Sequence, residues 1–102
     1  MNADTARMFR VRKTCLKMLQ KRGYVIPETH LRMTPQEFTD VFGDSPSRES
    51  LTVSAEKDDE SIFVFFPDDE KVGVKVNLIN VFGLYPDELT VQLRKIKCLA
   101  AA

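Results

Sequence analysis

The stretch IFVFFPDDEKVGVKV, residues 62–76, constrains this chain most. Residues 62–66 are wholly apolar, β-branched or aromatic, and side chains of that kind suit a pleated strand. Pro67 cannot donate to a sheet ladder, so it belongs at the end of that strand. The run therefore predicts a central strand buried on both faces. Residues 67–70 make a turn, and residues 71–76 return as the next strand. Upstream, residues 51–55 alternate apolar and polar, as a half-buried strand does, and EKDDE at 56–60 reads as a solvated turn. Three successive strands joined by short turns form a meander.

Helices flank it. Asp4 is a plausible N-cap and Gly23 a plausible stop, which predicts a helix over residues 5–22. At about 100° per residue, Met8, Val11, Cys15, Leu16, Met18 and Leu19 share one broad side, with Phe9 at its edge. Arg10, Lys13, Lys17 and Lys21 form a narrow basic seam opposite. RGYVI at 22–26 then turns the chain inward, and Pro27 ends the segment. Thr34-Pro35-Gln36-Glu37 has the pattern of a capped helix start with Pro at its first position. Phe38, Val41 and Phe42 would be its buried side and Gly43 its end. Residues 44–50 are loop by composition, and residues 77–83 read equally as strand or helix. Pro86-Asp87-Glu88 opens a last helix, with Arg94, Lys95 and Lys97 near its end, as the macrodipole favours. Leu89, Leu93, Ile96 and Leu99 or Ala100 share one face of it. The order α, α, β, β, β, α gives an α/β domain with helices packed on a sheet.

The 102 residues suffice for one compact domain, taken as residues 1–102. Fifteen basic residues balance fifteen acidic ones, but unevenly: residues 1–26 carry +6, residues 27–70 carry −9 and residues 71–102 carry +3. A basic element of that kind hints at nucleic acid more than the total does. Cys15 and Cys98 match no CxxC pattern. A disulfide between them is possible on paper, but apolar helical neighbours suggest two buried, reduced thiols. With no secretory leader and no stretch approaching a membrane span, the expected home is reducing and intracellular, nuclear or cytosolic.

Pro67-Asp68 before a lysine-bearing strand suggests a metal-dependent nuclease. Such a site needs two carboxylates converging on one ion and a lysine near the attacking water. Asp68, Asp69 and Glu70 lie in one tight turn, and Gly73-Val74-Lys75 puts glycine where the second carboxylate belongs. An acidic turn between core strands is the simpler reading. His30, the sole histidine, lies in a polar loop with no partner at ligand spacing, so neither a zinc site nor a triad is expected. The serines lack a nucleophile elbow, and no phosphate-binding glycine loop occurs. No catalytic residue, metal or cofactor is expected. The seam Arg10, Lys13, Lys17, Lys21 is either a solvated helix face or a track for a phosphate backbone, which would make binding salt-sensitive without reading sequence.

In this order, the basic helix, RGYVI, TPQEF and IFVFFPDDEKVGVK resemble the N-terminal jaw domain of the fifth subunit shared by eukaryotic nuclear RNA polymerases I, II and III. The match covers about residues 5–80. Its most specific parts are Arg22-Gly23-Tyr24 closing the helix and Val72-Gly73-Val74-Lys75 after the Phe-rich strand, and Phe66 and Pro67 are further structural positions of the motif. The resemblance implies a restriction-endonuclease-like small mixed sheet flanked by helices, without nuclease activity. It implies a place beside downstream duplex DNA, contacts with the other polymerase subunits and with transcription factors, and residence in the nucleus. The family's DNA-proximal loop corresponds to the turn around Asp69, Glu70 and Lys71, where Glu70 replaces a frequent proline. Lys71 and Lys75 thus join the seam as DNA-proximal candidates. Residues 81–102 diverge from the family pattern: Gly83 and Pro86 would break the helix that follows there. The family's C-terminal assembly domain has no counterpart in the sequence, which implies a fragment, a truncated product or a diverged relative. The readings to be separated are a non-catalytic polymerase subunit, a residual Mg²⁺-dependent nuclease and a protein-interaction module without DNA contact.

Overall fold

A computed structural model describes residues 2–58, 60–68, 70–76, 79–89 and 91–95. Helix α1 runs over Ala3–Lys21. It starts two residues before the expected position, because Asn2 is the cap: its Oδ1 accepts from the Thr5 amide at 2.8 Å. Asp4 sits in the first turn instead, where a carboxylate suits the helix dipole.

The helix ends as the glycine predicted, and the geometry explains the whole Arg22-Gly23-Tyr24 triplet. Gly23 adopts φ +93 and donates to the Gln20 carbonyl at 3.0 Å, while Tyr24 donates to the Leu19 carbonyl at 3.1 Å. These are the paired bonds of a Schellman closure, with Leu19 and Tyr24 both buried in the core. Lys57 Nζ donates to the Arg22 carbonyl at 2.8 Å, and the same ammonium lies 5.8 Å from the centre of the Tyr24 ring.

Helix α2, Glu28–Leu31, is a single turn where a loop was expected. It follows Pro27 and buries Leu31. Helix α3, Pro35–Phe42, has the predicted capping box: Thr34 Oγ1 accepts from the Glu37 amide at 3.2 Å, and the Glu37 carboxylate accepts from the Thr34 amide at 3.3 Å. Gly43 closes it at φ +83. Phe38 is fully buried between Phe9 and Phe42, with ring centroids at 5.3 and 5.0 Å. Val41, expected inside, is 64% exposed, because this short helix packs through its Phe38–Phe42 edge.

Among the described residues, four strands form one sheet in the order β1 (Val53–Lys57), β2 (Glu60–Phe65), β3 (Val72–Val76), β4 (Ile79–Leu84). The meander is as expected, with corrections. Every pairing is antiparallel, not mixed, since connections this short cannot carry a parallel crossover. The first strand begins later than expected, and Leu51 is buried from a 3-10 turn, Glu49–Leu51. Glu56, Lys57 and Glu60 of the expected EKDDE turn belong instead to the strands, with Lys57 paired to Glu60, and Asp58 takes φ 53. The ambiguous segment 77–83 is strand where it is described. Gly83 adopts φ +69 beside a bulge that sets Val72 opposite Leu84 and Val74 opposite Val81.

Nor is β2 buried on both faces. Ile62 and Val64 are fully buried, whereas Phe63 is 49% exposed. Helix α1 covers one face only, so the apolar run still alternates. The inner rows are Val53, Val64, Val74 and Ala55, Ile62, Val76, packed with Met8, Cys15, Leu16 and Leu19. Burial of each such aliphatic side chain contributes roughly 1.5–3 kcal/mol. A 3-10 turn, Pro86–Glu88, leads into helical residues 89 and 91–95, and Leu89 and Leu93 join the core as predicted. Ile96, Lys97, Cys98, Leu99 and Ala100 lie outside the described residues. Among those described, no helix is long and apolar enough to cross a membrane.

Candidate nucleic-acid interface

The seam forms as the periodicity requires. Arg10, Lys17 and Lys21 are exposed, and Lys13 is half-buried with its Nζ 5.5 Å from the centre of the Phe9 ring. All four lie on the side of α1 away from the sheet. Lys75 does not join them. It belongs to an outward row, Ser54, Phe63, Lys75, Asn80, that crosses all four strands and is exposed along its length. The row occupies the face opposite the one that packs on α1. The candidate cations are therefore divided between two sides of the molecule. Lys71, at the turn before β3, holds its Nζ 5.5 Å from the centre of the Tyr85 ring.

The acidic turn is built for its own closure. Asp68 Oδ1 accepts from the amides of Glu70 and Lys71, each at 2.8 Å, as aspartate does in many turns. The Glu70 amide is the largest influence holding this carboxyl below its usual range. Partial burial works against it, while the Lys71 amide and the charges of Lys71 and Arg48 act with it. Glu70 pairs with Arg7 of α1, Oε1 to Nη1, at 3.2 Å. Of the residues suspected of holding metal, Asp68 thus caps the turn and Glu70 ties it to a helix, while Asp69 lies outside the described residues.

Gly73 has a steric reason. It lies opposite Phe65, and a Cβ built on it would fall 2.3 Å from Phe65 Cζ and 2.4 Å from Cε2. The Phe65 ring covers the glycine, so no carboxylate fits at residue 73 without moving that ring. Among the described residues, no group of three His, Cys, Asp or Glu side chains could hold a metal ion. Of the other motif positions, Phe66, Val72 and Val74 are buried, and Pro67 stands just past the end of β2.

One cluster escaped the sequence reading. Arg12, on the helix that carries the seam, is only 3% exposed. Its Nε donates to the Leu51 carbonyl at 3.2 Å, its Nη2 donates to His30 Nδ1 at 2.9 Å, and its guanidinium carbon lies 5.2 Å from the centre of the Phe42 ring. It joins α1 to α2, α3 and the segment before β1. Burial lowers its pKa to about 10, against a smaller opposing effect of Cys15, so it remains a cation at neutral pH. His30 is half-buried, not a free loop side chain. Burial, then the Arg12 charge, lowers its pKa, and its Nδ1 must be the acceptor of the neutral ring. Cys15 is a free, buried thiol whose pKa burial pushes up to about 12, which makes it inert. The helical wheel carried the available signal: at about 100° per residue Arg12 falls between Cys15 and Phe9, on the apolar side of α1 and not in the seam.

A family model described as RNA polymerase Rpb5, N-terminal domain, matches residues 2–78. The chain is 39% identical over 80 residues to DNA-directed RNA polymerases I, II, and III subunit RPABC1 of Caenorhabditis briggsae, covering 71% of this chain and 38% of that protein. It is 40% identical over 82 residues to DNA-directed RNA polymerase subunit 5-like protein 1 of Arabidopsis thaliana, covering 74% and 39%. It is 40% identical over 74 residues to the rpabc1 subunit of Dictyostelium discoideum, covering 70% and 34%. The chain thus spans well under half the length of these relatives. No solved structure matches it.

Proposed function

Because this chain belongs to the RNA polymerase Rpb5 N-terminal domain family, we propose that it acts as a non-catalytic component of a nuclear DNA-directed RNA polymerase. In this reading it lies in the jaw beside downstream duplex DNA and offers surface to transcription factors. The carrying observation is the family match over residues 2–78, which takes in α1 and its outward seam. Four cations along one helix side suit a phosphate backbone, with affinity falling as salt rises.

Two features support a non-catalytic role. Asp68 is engaged by two backbone amides, and Gly73 lies beneath the Phe65 ring. The division of cations narrows the reading further. The seam is the duplex-facing element, while the outward sheet row with Phe63 and Lys75 is left for protein partners. Replacing Arg10, Lys13, Lys17 and Lys21 together by Gln should weaken duplex binding at low salt and flatten its dependence on salt. Binding unchanged by all four substitutions removes the seam from the mechanism. Assembly is tested separately, by whether the tagged chain brings down the large polymerase subunits.

A further inference from the structure

The loop between α3 and β1 carries a pattern that neither the core nor the basic seam uses. Residues 45–48 read Ser-Pro-Ser-Arg. Proline directly after a hydroxyl marks the substrates of one class of protein kinase, and a base three residues after the hydroxyl strengthens the match. Proline has no N–H, so it suits an enzyme cleft that leaves that backbone position without an acceptor. A guanidinium can pair with an anion of the enzyme in fork geometry. Residues 44–48 belong to neither helix nor strand, and Ser45 and Arg48 are exposed. The stretch can therefore extend along a cleft without breaking the sheet ladder. The next serines are engaged with each other: Ser47 Oγ accepts from the Ser50 amide at 3.3 Å, and Ser50 Oγ donates to the Ser47 carbonyl at 2.7 Å. No hydrogen bond among the described residues holds the Ser45 hydroxyl. The loop is tied just before it, since Thr5 Oγ1 donates to the Asp44 carbonyl at 2.7 Å. That bond places Ser45 next to the first turn of α1.

We propose that Ser45 is a phosphorylation site, taken by a proline-directed protein kinase that reads Pro46 and Arg48. In the transfer, Ser45 Oγ attacks the γ-phosphorus of ATP and a new O–P bond forms. The bond from that phosphorus to the β,γ-bridging oxygen breaks, ADP leaves with its electron pair, and the hydroxyl proton passes to the kinase's carboxylate base. Asp44 and Arg48 balance each other in the loop, so the phosphate brings residues 44–48 to a charge of about −1.5 to −2. The new anion stands at the start of the helix that carries the seam. Where that helix meets duplex DNA, it opposes the DNA phosphates and lowers affinity. This consequence rests on the reading of the seam as a duplex-facing element; the site itself does not.

The test incubates the whole chain with a purified cyclin-dependent kinase and MgATP, and reads the product by intact mass and peptide mapping. One phosphate, on Ser45, is the expected result. Ser45→Ala should lose it and Ser47→Ala should keep it. Pro46→Ala should lose it although the hydroxyl remains, and Arg48→Gln should slow it about tenfold, the worth of one charge-assisted contact. Circular dichroism of each variant shows that the chain is still folded. The proposal is overturned by a chain that takes no phosphate, by phosphate on Ser47 or Ser50 in place of Ser45, or by a rate that Pro46→Ala leaves unchanged. The consequence is read separately, from binding of a short fluorescent DNA duplex at low salt. Phosphorylation should weaken it by about 1.5- to 5-fold, the range of exposed charge pairs. If the Gln-substituted seam loses binding while phosphorylation changes nothing, the charge effect falls and the seam stands. If Ser45 is phosphorylated but the unmodified chain binds no duplex, the seam reading falls and the site stands.

Discussion

Substituting Ala for Gly73 should test the packing of the sheet's outer face directly. The added Cβ meets Phe65 Cζ at 2.3 Å and Cε2 at 2.4 Å, separations that carbon atoms do not tolerate. The backbone of β3 is held on both sides by β2 and β4, so the Phe65 ring must swing away. Overpacking of this kind costs about 1–3 kcal/mol. Without the ring the sign should reverse, because glycine within a strand is less stable than alanine by roughly 0.5–1 kcal/mol. Gly73→Ala should therefore destabilise the wild-type chain and stabilise a Phe65→Ala chain, giving a coupling of about 1.5–4 kcal/mol between two residues in contact. Urea unfolding followed by far-ultraviolet circular dichroism measures all four corners of the cycle. A Gly73→Ala penalty of the same size in both backgrounds would show that the ring is not the reason for the glycine.

Two further outcomes follow from the buried contacts. Burial and Arg12 lower the His30 pKa in the folded state, so the unfolded chain binds the extra proton first. Stability should be complete above about 6.5 and should fall as pH drops from there to the lower folded value. His30→Phe should flatten that part of a urea-midpoint profile; a profile that keeps its slope assigns the dependence elsewhere. Gly23→Ala should cost about 1–3 kcal/mol, since a residue at φ +93 is strained and its Cβ would press on Lys57 Cε at 3.3 Å. A thermal midpoint unmoved by this change would count against the Schellman closure.

Much of the fold was legible wherever a local rule had no competitor. Thr34-Pro35-Gln36-Glu37 specified a helix start by its own hydrogen bonds, and Gly23 specified a helix end by its φ. The apolar run 62–66 announced a strand but could not say how many of its faces were covered, because that depends on where α1 packs. Segment 77–83 was undecidable for a related reason: over its described residues 79–83 the neighbour β3, not composition, makes it strand. In the site, the missing carboxylate at Gly73 was readable as a letter, but its cause, the Phe65 ring, was not. Arg12 misled by its type. A lone buried cation looks like surface until a carbonyl, an imidazole nitrogen and an aromatic face arrive from three distant segments to receive it.

The meander also bears on how quickly such a chain can organise itself. Its strand pairs join neighbours in sequence, so each closes a short loop, and the entropy of closing a loop grows with its length. Among the described residues, ties across long stretches include Thr5 to Asp44, Arg12 to Leu51, Val25 to Glu56, Lys57 to Arg22, Tyr24 to Glu60 and Arg7 to Glu70. A sheet that can zip up hairpin by hairpin, and only afterwards receive its N-terminal helix, belongs with the faster folders among β-containing domains. Lengthening the loop of residues 44–48 should then slow the docking of the helix more than the growth of the sheet.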